Sequence, residues 1–300
     1  MTHIPENSKR ENQAGAPLAS SDLADESGAV VDPHSADDAR ASKMPSEAIH
    51  AAAYAAEGAG SAQTPVTPGS VRLRIHPALR FLLPRRARDN GEVDLAHDPS
   101  ATVGHVVQSA GVPLTEVGDL VVAEVAVSLR SRLQEQDRLD VGVRARPQPL
   151  EGPARFVLDV HLGALARRLR LLGVDTAYEK FADDDHLVEQ AGRQDRVLLS
   201  RDRGLLMRRA LRRAAFVRGQ DPDDQLADVI ERFQPPLQPW SLCLVCGGSL
   251  APVSKALVAN QLEPGTLRTQ QEFSRCQACG HVYWHGAHDV RLQHVIRRHT

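Results

Sequence analysis

Two groups of residues in this chain have the type and spacing for metal chemistry. Cys243-x-x-Cys246 and Cys276-x-x-Cys279 are each followed by glycine, with 29 residues between the inner cysteines. Thiolates at this spacing converge on one tetrahedral ion, and the glycine accepts the tight turn that closes each knuckle. Four thiolates leave no open coordination position, so the expected occupant is a structural zinc ion. His281, His285 and His288 follow the second knuckle and read as surface or packing residues, because four sulfurs already complete the shell. The second group is acidic: Asp159, one of Asp183–Asp185, Asp202 and Asp221. Carboxylates that converge on Mg2+ or Mn2+ are what metal-assisted phosphodiester hydrolysis requires, since the ions activate water and stabilise the leaving oxygen. Taken singly, each of these aspartates also suits the ordinary N-cap of a helix.

Arginines accompany the acids. Eight lie between Arg196 and Arg218, against the one acid Asp202. Leu205–Arg213 reads as a basic helix in which Arg208/Arg212 and Arg209/Arg213 are i, i+4 pairs. Such a face binds phosphate backbones without sequence preference, or is simply a solvated helix surface. Candidate substrate contacts are Arg167 and Arg168 on the helix after Asp159, with Arg201, Arg203, Arg208, Arg209 and Arg212. His161, just after Asp159, suits either a proton shuttle or packing at a helix start.

The elements around these residues alternate. Short apolar runs at Phe156–Leu158, Val197–Leu199 and Ala215–Val217 alternate with segments of helical period, with Val174–Tyr178 as the second strand and Arg196–Leu199 as the third. Leu162, Leu165, Leu169 and Leu172 mark the first helix; Phe181–Gln194 and Asp223–Phe233 are two more. This pattern predicts βαβ units and a parallel sheet buried on both faces. Ligands then sit outside the carboxyl ends of the strands, where strand order switches, and the aspartates fall at those ends.

Upstream, Val71–Ile75 and Glu92–Leu95 read as strands, Ala101–Ala110 as a helix closed at Gly111, and Asp119–Val127 and Leu139–Val143 as further strands. That order resembles a ubiquitin-like β-grasp. TVGHVVQSAGVPLTEVG is similar to the helix region of small sulfur carriers, which act through a free C-terminal Gly-Gly. Here the chain instead continues through RARPQPLEGPA, which favours a docking or packing role, with a protein partner as one use of the domain. The expected organisation is a disordered tail over 1–69, a β-grasp domain over 70–147, a parallel-sheet core over 153–234 and a zinc ribbon over 235–300.

Residues 1–69 hold four Lys/Arg and ten Asp/Glu, leaving the remainder at a net charge of +4. Their lack of large apolar side chains predicts disorder, and the helical stretch Glu47–Glu57 is too short to stand alone. Aromatics make up 4% of the chain, which argues against a broad base-stacking platform. The start lacks the pattern of a secretory signal, no apolar run approaches the length of a membrane span, and all cysteines fall in two close pairs. A cytoplasmic protein with no membrane partner is therefore expected.

The runs FVLDVHLGALARRLRLLGVDT, DDDHLVEQA, RVLLSRDRGLLMRR and QLADVIERF together resemble the Mut-seven C-terminal RNase family, a branch of the PIN-like nucleases. CLVCGGSLAPVSK and FSRCQACGHVYWHGAHDVRL are similar to that family's zinc ribbon, and the upstream domain to the ubiquitin-like domain fused ahead of it. The resemblance implies an α/β chain with a PIN-like parallel-sheet core, a metal-dependent ribonuclease activity and RNA as partner. It makes Asp159 the first metal-binding acid, Asp184 the second and Asp202 the third, with Asp221 as a fourth. Ser200 stands where a threonine is usual before Arg-Asp. The competing function is an RNA- or ribosome-binding adaptor that keeps the fold without turnover.

Overall fold

The computed structural model describes residues 66–284 and 295–298. The helical stretch 47–57 and most of the expected tail lie outside the described residues. Residues 66–69, expected in that tail, already join the fold: the Gly69 N–H donates to Glu135 at 2.7 Å.

β1 (Ser70–Ile75) pairs antiparallel with β2 (Glu92–Ala96) and parallel with β5 (Arg138–Val143). β5 pairs antiparallel with β3 (Val117–Val122), and β4 (Val125–Ala126) completes the order β2-β1-β5-β3-β4. α1 (Val103–Ser109) covers the sheet, with the Thr102 hydroxyl accepting from the His105 N–H at its start. Val71, Leu73, Ile75, Val103, Val107, Leu139 and Val141 form the core of this β-grasp. The single strand expected over Asp119–Val127 is two. Ala123 and Glu124 take positive φ (47 and 64), the backbone that a tight hairpin turn demands. The β1–β2 connection is long instead of tight, folding residues 76–91 into 3-10 turns at Pro77–Leu82 and Arg85–Ala87.

The second sheet is wholly parallel. β6 (Arg155–Leu158), β7 (Asp175–Tyr178), β8 (Val197–Ser200) and β9 (Ala214–Phe216) lie in the order β7-β6-β8-β9. β6 and β8 are apolar because both their faces are covered, whereas the edge strand β7 is mixed. One face packs Phe156, Leu158 and Leu199 under α2 (Gly163–Leu171) and α5 (Pro222–Phe233); the other packs Val157 and Leu198 under α3 (Asp184–Arg193) and α4 (Arg203–Leu206). The chain leaves β6 towards β7 and leaves β8 towards β9, so the order switches between β6 and β8.

The expected basic helix Leu205–Arg213 does not form. α4 ends at Leu206, and residues 207–213 run as turns. Like charges at i, i+4 oppose a helix, and here they would have met twice. The arginines are drawn apart instead, Arg208 to Asp185 and Arg213 to Asp195 at 2.6 Å. Leu205 and Leu206 are buried, and Leu211 packs against the same core from the turn segment.

β10 (Leu250–Val253), β11 (Phe273–Cys276) and β12 (Val282–Trp284) form a small antiparallel sheet in that order, with α6 (Pro264–Thr269) between β10 and β11.

The described residues fall in one compact unit, and the β-grasp is fastened to the parallel sheet within it. Glu116 and Arg232 are each 1% exposed and pair at 2.8 and 3.0 Å. Glu116 also accepts from the Phe216 N–H at 2.8 Å, while Arg232 donates to the Thr115 carbonyl and to Gln148. Both charged groups of the pair are thus hydrogen-bonded inside the interface, as buried charge requires. Removing one partner by Arg232→Met should cost about 3–5 kcal/mol in urea unfolding. Glu116→Leu with Arg232→Met should recover most of that loss, because apolar replacement of a buried pair is often neutral.

Candidate active site and metal centre

Asp159 ends β6 beside the switch point and is 6% exposed. It opens the 3-10 turn Val160–Leu162, yet its carboxylate makes no capping hydrogen bond. Oδ2 instead accepts from the Ser200 hydroxyl at 2.6 Å, and Ser200 Oγ accepts from the Asp202 N–H at 2.8 Å. Ser200 is fully buried at the end of β8, so one hydroxyl ties the ends of the two switch-point strands. The Asp159 N–H bonds the Leu199 carbonyl at 3.0 Å and locks the same register.

The other acids keep the cap role that their positions invite. Asp202 caps α4, its Oδ1 accepting from Gly204 at 2.7 Å, and the side chain is exposed. Asp221 caps α5, accepting from the Asp223 and Asp224 N–H groups at 2.8 and 3.0 Å. Those bonds, from Asp224 first and Asp223 next, hold its carboxyl below the ordinary aspartate range. In the run 183–185, Asp183 caps α3 through the His186 N–H and Asp185 pairs with Arg208. Asp184 is exposed and its carboxylate has no partner among the described residues. All four strands are parallel, so these residues share one rim. Among the described residues, however, the group of His, Cys, Asp or Glu side chains close enough to hold a metal ion is the cysteine quartet, and these aspartates form no such group.

The arginines divide. Arg201 reaches across the rim to the Gly219 carbonyl at 2.6 Å, Arg168 pairs with Asp223 at 2.6 Å, Arg203 bonds the Leu82 carbonyl, and Arg208 is held by Asp185. These four brace the protein. Arg167, Arg209 and Arg212 are exposed, with no side-chain partner among the described residues. His161 is exposed on the turn after Asp159.

The four cysteines converge, all ligand sulfurs lying within 4.8 Å of one another. The Cys243–Cys279 and Cys246–Cys276 sulfurs are 3.7 and 3.5 Å apart. A tetrahedron with metal–sulfur bonds of about 2.3 Å has edges of about 3.8 Å, so the quartet suits zinc and is far too open for a disulfide. Burial penalises the Cys243 thiolate, but the Tyr283 hydroxyl at 3.1 Å and backbone N–H groups outweigh it and bring that thiol down to about 6. Burial and the neighbouring cysteines push Cys246 up to about 12. His281 stacks on Tyr283 at 4.8 Å between centroids; His285 and His288 lie outside the described residues.

An unforeseen residue joins this centre to the parallel sheet. Arg170, 2% exposed on α2, donates to the Thr176 carbonyl on β7 at 3.0 Å and to the Leu244 and Val245 carbonyls inside the first knuckle at 3.3 and 2.7 Å. Burial lowers its pKa from the ordinary arginine value. In the sequence Arg170 is one of three arginines on a leucine-patterned helix, and nothing there distinguishes it. Gly173, at φ +77, lets the chain turn where a Cβ would lie 2.1 Å from the Gln238 carbonyl. The Glu116–Arg232 pair carries no sequence signal either.

Residues 154–296 match the family model for the Mut7-C RNAse domain, and residues 69–148 match that for Mut7-C ubiquitin. No curated protein and no solved structure matches the chain.

Because Arg170 satisfies the carbonyls between Cys243 and Cys246, it acts on the metal centre from outside the ligand shell. Arg170→Leu should weaken zinc binding about 10–100-fold in competition with a chromophoric chelator, the usual effect of losing an outer-shell partner.

Proposed function

The chain belongs to the Mut7-C RNAse domain family, its RNAse domain following a Mut7-C ubiquitin domain, and from that premise we propose that it is a metal-dependent ribonuclease acting at the β6–β8 switch point. The observation that carries this reading is the Asp159–Ser200–Asp202 linkage. One hydroxyl thus holds the buried Asp159 carboxylate and the backbone N–H of the exposed Asp202, at the end of the sheet where α/β proteins take ligands.

The donor set suits Mg2+ or Mn2+. Mg2+ is held by one or two carboxylates together with waters and substrate phosphates, so a dedicated cage of three protein acids is not required. Asp159 and Asp202 are the direct ligands, with Asp184 and Asp221 flanking them on the rim. The bound cation lowers the pKa of a water and offsets charge on the leaving oxygen. Ser200 keeps the Asp159 carboxylate fixed. Asp202 leaves Oδ2 uncommitted while Oδ1 caps α4. Arg167 and Arg209 offer guanidinium groups to RNA phosphates, whereas Arg212 lies at the opposite end of the sheet, in a pocket with Val197 and Ala214. Cys243, Cys246, Cys276 and Cys279 hold a structural zinc ion that braces the fold through Arg170. A reduced thiol quartet suits the cytoplasm, and no helix among the described residues is long and apolar enough to cross a membrane.

Asp159→Asn with Asp202→Asn should abolish Mn2+-dependent cleavage of single-stranded RNA. A loss of several kcal/mol of transition-state stabilisation is about a thousandfold in rate. RNA binding should persist or tighten as repulsive charge is removed. Ser200→Ala should cost about 10–100-fold, while Ser200→Thr keeps the activity. Cleavage that survives in the double variant would rule out the carboxylate mechanism, whereas an unaltered chain that binds RNA without cleaving it would be an adaptor.

A further inference from the structure

We propose that Arg85 and Arg86, on the β1–β2 connection of the β-grasp domain, extend the phosphate-binding surface of the rim and grip the flank of a single-stranded RNA substrate. The inference rests on the ribonuclease reading and assigns part of the substrate site to the other domain.

Three observations support it. Antiparallel neighbours are usually joined by about two to five residues, and loops beyond about 12–15 residues are commonly functional. Here the connection takes residues 76–91. It is also ordered: Leu79, Leu82 and Leu83 are buried in the β-grasp core, and the Gly91 N–H closes onto the Ala87 carbonyl at 2.9 Å.

The connection lies against the rim side of the parallel sheet. Its Leu82 carbonyl accepts from Arg203, the residue next to Asp202. Its Ala78 carbonyl accepts from Arg218 at 3.3 Å, and Phe81 packs on Phe216 of β9 at 5.1 Å between centroids. Arg85 is three residues beyond Leu82, a reach of at most about 10 Å. A bound strand extending a few nucleotides past Asp202 therefore meets this turn.

Charge supplies the third observation. The segment Arg80–Arg88 contains four arginines and no acid. Arg80 and Arg88 are spent on the fold, donating to the Ile75 and Leu83 carbonyls at 3.3 and 2.8 Å. Arg85 and Arg86 are exposed, and their side chains have no hydrogen bond or ion pair among the described residues. Adjacent unneutralised cations on a braced turn complement a polyanion. Because the Glu116–Arg232 pair fixes the β-grasp to the sheet, the turn is held in place before substrate arrives.

The test uses the full chain carrying Asp159→Asn and Asp202→Asn, with fluorescein-labelled single-stranded RNA followed by anisotropy across a salt series. Adding Arg85→Ala and Arg86→Ala should weaken binding and make the dependence of log K on log salt shallower by about 1.4, roughly 0.7 for each lost contact to a single strand. Arg85→Glu with Arg86→Glu should weaken binding further, with zinc content and unfolding midpoint unchanged. With the acids intact, the alanine pair should raise KM for RNA and spare kcat. Affinity and salt slope unchanged in both variants would overturn the proposal and leave the turn for an acidic protein partner. If the unaltered chain binds RNA through Arg85 and Arg86 yet cleaves none with Mn2+, the nuclease reading fails and this inference stands.

Discussion

A parallel sheet with helices on both faces leaves only its two ends open to ligands. In this protein the end that matters is set by connectivity. The chain departs from β6 and from β8 in opposite directions, and Asp159 and Asp202 follow the ends of those two strands. Neither residue had to be brought there by a special loop. Asp159 comes directly after the last apolar residue of a buried strand, and Asp202 only a few positions after the last of another. Ser200 then converts proximity into a fixed relation by donating to one acid and accepting from the backbone of the other. Burial of that hydroxyl matters as much as its position, because a hydrogen bond shielded from water is electrostatically stronger.

Around this end, two further bodies are attached by arginines. Arg232 reaches the β-grasp through Glu116, and Arg170 reaches the cysteine knuckle through backbone carbonyls. The two solutions differ. Arg232 meets an opposite charge, whereas Arg170 is satisfied by neutral carbonyls beside clustered thiols, whose charge it offsets at short range. Both side chains lie almost completely buried, so both junctions constrain the sheet from flanks that do not carry the candidate acids.

Much of the architecture was legible because its signals were local. The alternation of apolar runs with helical period marked all four strands of the parallel sheet, and the paired C-x-x-C-G motifs marked the sulfur quartet. Misreadings came where local rules compete. Leucine and arginine content suggests a helix over 205–213, but two like-charge repeats oppose it and the chain runs as turns beyond Leu206. The strand over 119–127 was read as continuous because Ala-Glu is an unusual pair for a hairpin turn. Tertiary partners were invisible: nothing in a single sequence separates Arg170 from Arg167, or shows that four of the seven candidate substrate arginines bond to the protein itself. For the acids, sequence spacing put them at strand ends but did not decide between cap and ligand. Only coordinates reveal that Asp159 leaves its cap unmade while Asp202 and Asp221 do not.

The Glu116–Arg232 contact has a bearing on how such a chain can change over generations. A segment that exists as a movable cassette must have a boundary that tolerates strangers. Here the seam holds one half of a charge pair on each side, shut away from water. A recombination event that exchanged either segment alone would bury an orphan ion in the seam. Inheritance is thus channelled towards passing the two halves on as a matched set, or towards altering both sides together.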